Sequence, residues 1–323
     1  MRFAAFSTVT LAFALLGACS SSSSSAPAKS VDDECTTYAS GLCNTMNGCA
    51  AIYLQIGFGD VATCTSRLKD ACKAGATAPN TGITLDVLDK CANSAASTSC
   101  TDLLSGVRSS ACNPPPGTLE DGKPCADDAQ CKSTFCGVDE SKSLCGTCAP
   151  KPAEGAACFA NDCTDGLKCI NLKCVKLVAE GGTCDPDHPC GAFLNCVAGK
   201  CGQQAQADGA ACDKSAGIEC DARKGLFCLD KRCVKVVLVG EGKECGLHTS
   251  GVTIKDFTLC EKSGFCDGLE PKAVPPKFLG VCKPAAKDNE ACAVGDDPTK
   301  PHCLPPAECI GGFCKLRDPA SCK

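Results

Sequence analysis

The chain has 323 residues, 35 of them cysteine, and a formal net charge of −5. It contains no Trp and only two Tyr, and no cluster of Lys and Arg reaches five residues. These values argue against one large aromatic core and against nucleic-acid binding, which needs a basic footprint. More than one residue in ten is cysteine, which is typical of a disulfide scaffold in an oxidising compartment.

Residues 1–18 are predicted to be a bacterial lipoprotein signal peptide. Arg2 provides a positive start, and the apolar run Phe3–Leu16 that follows is too short to span a bilayer. The run ends in Leu-Gly-Ala-Cys, which resembles a lipobox. We therefore expect cleavage between Ala18 and Cys19, and acylation of Cys19 as the mature N-terminus. An ordinary cleaved signal with an incidental cysteine is the alternative.

Residues 19–34 are predicted to be a lipidated, Ser-rich tether. Residues 20–30 have no apolar period and cannot pack, so this part should be disordered. Acyl chains on Cys19 would hold the protein to the lipid bilayer. Ser20, rather than Asp, follows that cysteine, which favours the outer membrane by analogy with known sorting rules. The expected location is thus the bacterial cell envelope, with the face of the membrane left open, and no second apolar run is long enough for a transmembrane helix.

The number of cysteines predicts that the chain closes in two separate regions. Without Cys19, 34 cysteines are left, of which eight lie in residues 35–112 and 26 in residues 125–322. Both numbers are even, so each region can close its own disulfides. We expect no metal and no cofactor, because the three histidines are scattered and short paired cysteine spacings are rare.

Residues 35–113 are predicted to form an α-helical domain with eight cysteines. Asp60 and Thr84 are suitable N-cap residues, and apolar residues at helical spacing follow each of them. Acidic residues at 32–34 are typical of a first helical turn. The breaker sequence Pro-Pro-Pro-Gly at 114–117 ends the domain.

Two equal cysteine intervals predict the first disulfides of this domain. Cys35 and Cys43 are eight residues apart, and so are Cys64 and Cys72. Two antiparallel helices with equal intervals can form two rungs if the pair is slightly rotated or supercoiled. The expected bonds are Cys35–Cys72 and Cys43–Cys64, although sequence alone leaves other connectivities open. The remaining four cysteines would then pair among themselves: Cys49, Cys91, Cys100 and Cys112.

Residues 114–323 are predicted to form six cysteine-rich repeats. Each repeat starts with an acidic residue, a Gly or Asn, two further residues and a cysteine. The six acidic residues are Asp121, Glu154, Glu180, Asp208, Glu241 and Asp288. Gly and Asn tolerate a positive φ, so the motif predicts a turn at the start of each repeat.

Four of the six repeats end in two cysteines separated by four residues, which predicts a tight β-hairpin. Each hairpin cysteine is expected to bond a loop cysteine, first to third and second to fourth; a direct bond across the hairpin is the alternative. The expected pairs are Cys158–Cys169, Cys163–Cys174, Cys184–Cys196, Cys190–Cys201, Cys212–Cys228, Cys220–Cys233, Cys292–Cys309 and Cys303–Cys314. Two bonds for each repeat would hold 25–45 residues with almost no core.

Two repeats depart from this pattern. The fifth has two long inserts, residues 246–259 and 267–281. The first contains Cys145 followed closely by Cys148, so Cys148 and Cys322 are left over from six sets of four. They bond each other across the array, or the terminal repeats pair differently.

The start motif and the Cys-x4-Cys end together resemble the Dickkopf N-terminal cysteine-rich type, as it occurs in cysteine-rich bacterial lipoproteins. The resemblance covers roughly residues 118–316. It implies a secreted, disulfide-stapled module, and no receptor-binding motif carries over. The whole layout is similar to lipoproteins of predatory or social (myxobacterial-type) soil bacteria, which have no assigned function.

Four segments are candidates for chemistry or binding. Cys145 and Cys148 have the spacing of a redox dithiol, but structural bonding is favoured because no helix start or βαβ framework surrounds them. Residues 185–188 could suggest a cation loop, but lack its other acids and its Gly, which favours a turn. The apolar run 234–239 suits packing between repeats, or else an exposed strand edge. The insert of the fifth repeat is a candidate binding loop, with plain elaboration of the fold as the alternative.

The sequence therefore predicts a small disulfide-rich fold: a helical cysteine-rich N-terminal domain followed by a rod or irregular array of about six short β-hairpin and loop repeats. The favoured function is that of a non-enzymatic, lipid-anchored envelope or surface protein. Its role would be structural, or it would bind a protein or carbohydrate that the sequence does not identify. A protease inhibitor built on cysteine-stapled loops is the second hypothesis. An enzyme of unknown class is the third, and it would need a deep pocket with convergent polar groups.

Overall fold

The computed structural model describes residues 29–322, apart from residues 108, 140–142, 159–162, 165, 214–215, 251–252, 271–272, 294–296 and 298. The predicted signal peptide, Cys19 and most of the tether lie outside the described residues. The first helix begins at Val31, so the expected boundary after residue 34 falls inside its first turn. None of the helices in the described part of the chain is both long and apolar enough for a membrane span.

The N-terminal domain is helical. Its helices are α1 Val31–Gly57, α2 Val61–Ala76, α3 Leu85–Ala95 and α4 Cys100–Leu104. Each begins after an N-cap whose side chain accepts a hydrogen bond from the backbone N–H three residues later; the caps are Ser30, Asp60, Thr84 and Ser99. These bonds satisfy donors that have no partner inside a helix, so the cap residues decide where the helices start.

Four disulfides hold the helices together. Cys35–Cys72 and Cys43–Cys64 join α1 to α2 as two rungs of an antiparallel pair. The four remaining cysteines pair as Cys49–Cys100 and Cys91–Cys112. Leu54 and Phe58 are buried beside Cys43 and Cys64, and Met46, Val61 and Leu68 pack against them. The domain thus has a small apolar core in addition to its crosslinks.

The repeats form an array of short antiparallel strands, which we divide into units 1 to 6: residues 118–150, 151–177, 178–204, 205–239, 240–283 and 284–316. Unit 1 contains β1 Pro124–Cys125, β2 Cys136–Gly137 and β3 Gly146–Cys148. Units 2 to 4 contain β4 Leu167–Ile170, β5 Lys173–Lys176, β6 Leu194–Val197, β7 Lys200–Gln203, β8 Leu226–Leu229 and β9 Arg232–Val239. Units 5 and 6 contain β10 Glu244–Ser250, β11 Thr253–Cys260, β12 Phe265–Asp267, β13 Leu279–Lys283, β14 Glu308–Ile310 and β15 Phe313–Lys315.

The four Cys-x4-Cys segments are hairpins with two-residue turns. In each, the two cysteines lie directly opposite one another; in unit 2, Cys169 is paired with Cys174. Both turn residues have positive φ, at Asn171 and Leu172 in unit 2 and at Gly311 and Gly312 in unit 6. This left-handed turn matches the twist of the two strands.

The disulfides of these hairpins run back to loop cysteines and do not cross the hairpin itself. In the structure the eight pairs are first to third and second to fourth, from Cys158–Cys169 and Cys163–Cys174 in unit 2 to Cys292–Cys309 and Cys303–Cys314 in unit 6. The second residue of each start motif has positive φ, between +68° at Asn289 and +85° at Gly122. Unit 5 follows the same scheme despite its inserts, with Cys245–Cys266 and Cys260–Cys282.

The two cysteines left over in the sequence analysis do not bond each other. A Cys148–Cys322 bond is wrong: Cys148 bonds Cys131, and Cys145 bonds Cys322. The reason lies in the register of β3, where Cys148 is opposite Cys136, the position that the fourth cysteine holds in the other units. Cys145 precedes that strand and bonds Cys322 in the C-terminal tail.

Of the two expected arrangements, a rod or an irregular array, the extended rod is wrong, because the array closes on itself. Cys145–Cys322 spans 177 residues and joins unit 1 to the tail that follows unit 6. In the same contact, Arg317 donates to the carbonyl oxygen of Ala126 over 3.2 Å, and the Gln130 amide donates to that of Pro319 over 3.5 Å. Units 1 to 6 and the tail therefore form a covalently closed ring.

The helical domain contacts this ring at several units. The Arg67 side chain of α2 pairs with both carboxylate oxygens of Asp288 over 2.6 and 2.8 Å and donates to two backbone carbonyls of unit 6. In unit 5, the backbone N–H groups of Lys262 and Ser263 donate to the carbonyls of Gln55 and Ile56 over 2.8 and 2.6 Å. The last carbonyls of a helix lack intrahelical donors, so unit 5 caps the end of α1.

Units 3 and 4 meet α1 at an aromatic contact that an arginine of unit 4 extends. Arg223 lies 4.7 Å from the centre of the Phe193 ring, whose other neighbour is Tyr53 of α1 at 6.4 Å. The same guanidinium donates to both oxygens of Asp221, whose residue is 1% exposed. Burial raises the pKa of Asp221, but the hydrogen bonds and charge of Arg223 outweigh it, so the pKa is lowered overall.

The apolar run 234–239 lies within β9 and packs between units. β9 pairs antiparallel with β8 of unit 4 and parallel with β11 of unit 5, in a six-stranded sheet of order β12-β13-β10-β11-β9-β8. Residues 232–235 of β9 pair with β8 and residues 236–239 pair with β11, so the run connects unit 4 to unit 5 within one sheet.

Candidate binding loop in the fifth unit

The two inserts of unit 5 have different structures. The first becomes the β10–β11 hairpin inside the six-stranded sheet. The second leaves β12 and returns at β13; we call residues 268–278 the unit 5 loop, of which 268–270 and 273–278 are described. Only this second insert remains a loop, so it is the candidate binding segment.

Backbone hydrogen bonds close the unit 5 loop at its base. The N–H of Glu270 donates to the carbonyl of Lys277 over 2.9 Å, and the N–H of Lys277 donates to the carbonyl of Glu270 over 3.0 Å. The N–H of Ala273 also donates to the carbonyl of Glu270, over 3.1 Å. A reciprocal pair of this kind is the hydrogen-bonded pair of an antiparallel ladder, so the two ends of the loop are held side by side.

The tip of the loop is exposed over consecutive residues. Every residue from Val274 to Phe278 is exposed, and Val274 is 99% exposed. An apolar side chain without any neighbour contributes nothing to the stability of the fold. Exposed apolar residues on a long loop, carried by a rigid scaffold, are typical of a binding segment.

The scaffold beneath the loop is crosslinked on both sides. Cys266 of β12 lies opposite Cys282 of β13, and these cysteines form separate bonds to Cys245 and Cys260. Gly280 lets the strands approach, because a Cβ atom there would lie 2.3 Å from the Asp267 carbonyl oxygen. β13 also pairs with β10, which ties the loop to the six-stranded sheet.

The other sequence candidates are structural. Cys145 and Cys148 belong to different disulfides and do not form a redox pair. The Asp185 carboxylate accepts from the backbone N–H of Asp187 and of His188, and lies 2.9 Å from the His188 ring. That hydrogen bond raises the pKa of His188 and lowers the pKa of Asp185, and both side chains are exposed on a turn.

The sulfur atoms of several units lie close enough together to resemble metal-binding groups. In unit 1, the sulfurs of Cys125, Cys131 and Cys136 are within 4.8 Å of one another. Each of them is in a disulfide, and a metal ligand must be a thiolate. These groups are therefore crossed disulfides at the centre of each unit.

Cavities of the described residues lie against the helical domain and between units 5 and 6, where one has a volume of about 380 Å³. One of about 800 Å³ is an open groove along α1 lined by small and hydroxyl-bearing residues and by the Cys49–Cys100 disulfide. A second, of about 290 Å³, lies where α2 meets units 1 and 6, with Asp70, Asp127 and Arg317 in its wall. Neither contains a histidine beside a hydroxyl or thiol nucleophile.

Sequence reasoning located the insert but missed what makes it a defined site. The loop is closed by backbone hydrogen bonds between Glu270 and Lys277. The Glu-Pro sequence at the start of the loop and the Pro-Pro-Lys sequence at its end could have indicated this closure. The distinction between the two inserts follows from strand pairing, which their lengths do not reveal.

Comparison with known proteins gives no match for this chain. No family model, no curated protein and no solved structure is significantly similar to it.

Proposed function

We propose that the protein is a lipid-anchored envelope protein whose disulfide-crosslinked ring presents the unit 5 loop to a protein partner. The observation that carries the proposal is the loop itself: its ends are joined by two backbone hydrogen bonds, and Val274 at its tip is 99% exposed. No catalytic role is part of the proposal.

The compartment follows from the cysteines. All 34 cysteines of the described residues form 17 disulfides, which indicates an oxidising location outside the cytoplasm. The proposed anchor is the acylated Cys19, supported by the lipobox-like sequence that precedes it. The proposed outer-membrane location has the weaker support of Ser20 after that cysteine.

The proposed partner is a protein, with a carbohydrate as the alternative. A reciprocal backbone pair holds the loop in an extended, strand-like form at its base, and its tip offers apolar surface. Protein partners recognise such segments by main-chain hydrogen bonds together with pockets for side chains. We also propose membership of the Dickkopf N-terminal cysteine-rich type, on the sequence motifs that start and end the repeats.

The anchor is tested by Cys19→Ser. Cells that express the wild-type protein and are fed a labelled fatty acid should yield labelled protein in the membrane fraction. The variant should be unlabelled and should leave that fraction. Fatty-acid label or membrane retention in the variant would contradict the anchor, independently of the loop.

The binding loop is tested by a photo-crosslinking residue placed at position 274, with position 172 as the matched control. Leu172 is also an exposed apolar residue on a turn, 63% exposed, but lies in unit 2. We expect one defined envelope protein to crosslink at 274 only. The same protein should co-purify with the wild-type chain and with Leu172→Asp, but not with Val274→Asp. Equal crosslinking at both positions would exclude the loop as the binding segment.

A further inference from the structure

The disulfide Cys145–Cys322 differs from every other disulfide of the described repeat region. The others each join two cysteines of one unit, two bonds to a unit. Cys145–Cys322 joins unit 1 to residues 317–322, which we call the tail. Loss of a bond within a unit removes half of the crosslinks that hold that unit, whereas loss of Cys145–Cys322 leaves both crosslinks of every unit in place. Reduction of this one bond can therefore change the arrangement of the units without unfolding one of them.

Thiols in solution can reach this bond. Cys145 and Cys322 are both half-buried, and the tail residues Ala320 and Ser321 beside Cys322 are exposed. By contrast, each disulfide within units 1 to 5 has at least one buried cysteine. Thiol–disulfide exchange needs direct approach of a thiolate to a sulfur atom, so exposure of both cysteines favours attack at this bond.

Three further disulfides have no buried cysteine, but each has a cysteine held in regular secondary structure. They are Cys49–Cys100, Cys91–Cys112 and Cys292–Cys309. Cys49 lies in α1, Cys91 in α3 and Cys309 in β14. Cys322 follows the last described strand and lies in none of the described helices or strands. The backbone around Cys322 can therefore move as a mixed disulfide forms, without breaking a helix or a strand pair.

The hydrogen bonds described between the tail and unit 1 are long. Arg317 donates to the carbonyl oxygen of Ala126 over 3.2 Å, and the Gln130 amide donates to that of Pro319 over 3.5 Å. These distances lie at or beyond the upper end of the usual range, so neither bond is strong. Pro319 is the one buried residue of the tail. A segment with few buried contacts opens locally at low free energy, so the tail should leave unit 1 once the disulfide is broken.

Units 1 and 6 are each held on the helical domain by contacts that do not involve the tail. The Gly82 N–H donates to the carbonyl oxygen of Ala129 in unit 1 over 2.7 Å. Unit 6 is held by the paired hydrogen bonds of Arg67 with Asp288. Breaking the disulfide therefore releases the tail and leaves both units in place. The two thiols stay within reach of each other, so oxidation can form the bond again.

Release of the tail would uncover part of α2. Arg317 and Pro319 form one wall of the cavity of about 290 Å³ between α2 and units 1 and 6. Ala74 of α2 and Asp127 of unit 1 lie in its other walls. The tail is thus a strap along this cavity, and the disulfide fixes the end of the strap to unit 1.

We propose that Cys145–Cys322 is a redox latch, the site at which a dithiol oxidoreductase releases the tail and opens the ring beside α2. The inference goes beyond the proposed function and does not involve the unit 5 loop. One thiolate of the dithiol attacks a sulfur of the bond, forms a mixed disulfide and displaces the other cysteine as a thiolate. The second thiol of the dithiol then displaces the bound cysteine. Two electrons and two protons pass to Cys145 and Cys322, and the dithiol becomes a disulfide.

The test is reduction of the native, oxidised protein by dithiothreitol, as the probe dithiol, without denaturant. Free thiols are alkylated at successive times and located by mass spectrometry. We expect Cys145 and Cys322 to be alkylated first, at least ~10-fold faster than Cys292 and Cys309, because only the tail must open. Cys292–Cys309 is the matched control, since it also has no buried cysteine. Replacement of dithiothreitol by glutathione disulfide should restore the Cys145–Cys322 bond.

The double variant Cys145→Ser with Cys322→Ser gives the open state without a reductant. Hydrogen exchange of the tail amides should be at least ~10-fold faster than in the wild-type protein, while the amides of β3 in unit 1 and of β14 and β15 in unit 6 keep their protection. Cys292→Ser with Cys309→Ser is the control variant. It should lose protection in β14 and β15, because it removes a crosslink from within unit 6.

Three results would overturn the inference. The first is alkylation of Cys292 and Cys309 before, or together with, Cys145 and Cys322. The second is unchanged exchange of the tail amides in the open variant, which would show that the disulfide does not hold the tail. The third is loss of protection throughout units 1 and 6 of that variant, which would make the bond a structural crosslink rather than a latch.

Discussion

The helical domain and the repeat units use disulfides in different ways. In the helical domain, Cys43 and Cys64 lie beside Leu54 and Phe58 in a small apolar core, and the capped helices satisfy their own backbone. In unit 2, the buried cluster consists of Cys158, Cys163 and Cys174, with Leu167 against it. Disulfides therefore supplement the packing of the helices, whereas in the units they replace it.

The largest expected effect comes from removing one disulfide in each region. Cys163→Ala with Cys174→Ala should unfold unit 2 locally, because one bond and almost no apolar core would be left. Cys35→Ala with Cys72→Ala should lower the free energy of unfolding by about 2–4 kcal/mol but keep the helices.

Hydrogen exchange of β4 and β5, together with far-ultraviolet circular dichroism, distinguishes the two outcomes. Unit 2 amides in its double variant should exchange at the rate of open chain, while the helical signal of the other variant stays at the wild-type level. Retained protection of the unit 2 amides would contradict the conclusion that disulfides replace packing in the units.

A smaller effect is expected where the two regions meet. Arg67 is mostly buried and bonds Asp288 and two carbonyls of unit 6, so Arg67→Ala leaves several polar groups without partners. We expect a loss of about 2–4 kcal/mol in the free energy of unfolding by denaturant.

Lys90→Ala is the control for this measurement. It removes an exposed ion pair with Asp86 within α3 and should cost less than about 0.5 kcal/mol. Equal effects of the two substitutions would show that the helical domain and the ring do not stabilise each other through Arg67.

The smallest effect concerns the hairpin turns of the units. Leu172 has φ +62°, a conformation that favours glycine, and its side chain is exposed. Leu172→Gly should therefore stabilise unit 2 by about 0.5–1 kcal/mol, measured by exchange of the β4 and β5 amides.

In the opposite direction, Gly312→Ala in unit 6 should destabilise its hairpin by about 1 kcal/mol, since φ is +82° and no atom lies near the added methyl group. If neither substitution changes the stability of its hairpin, positive φ at the turn residues does not affect hairpin stability.

Most of the fold was predicted from the spacing of residues that lie close together in the sequence. The equal intervals of Cys35/Cys43 and Cys64/Cys72 indicated two rungs between helices, and the structure contains both. The start motifs predicted turns, and Gly122 and Asn289 indeed have positive φ. These successes share a cause: each depends on residues a short distance apart, where helix period, strand register and backbone sterics leave few choices.

The candidate site was only partly predictable. The insert was visible as extra length between Cys266 and Cys282, but its closure by Glu270 and Lys277 requires two backbone groups to meet across the loop. The pairing of Cys145 with Cys322 likewise depends on where two chain segments 177 residues apart are brought together.

The amino-acid sequence by itself determined the oxidising compartment, the division into helices and hairpin units, and the pairing inside units 2, 3, 4 and 6, because these follow from cysteine number and from short-range geometry. Only the tertiary structure decided that the array closes into a ring, that Arg67 joins α2 to unit 6, and that one insert of unit 5 becomes sheet while the other becomes a closed loop. Ring closure and the Arg67 contact depend on the orientation that successive units adopt, and the difference between the inserts depends on strand pairing. Neither is encoded in the cysteine spacing of a single unit.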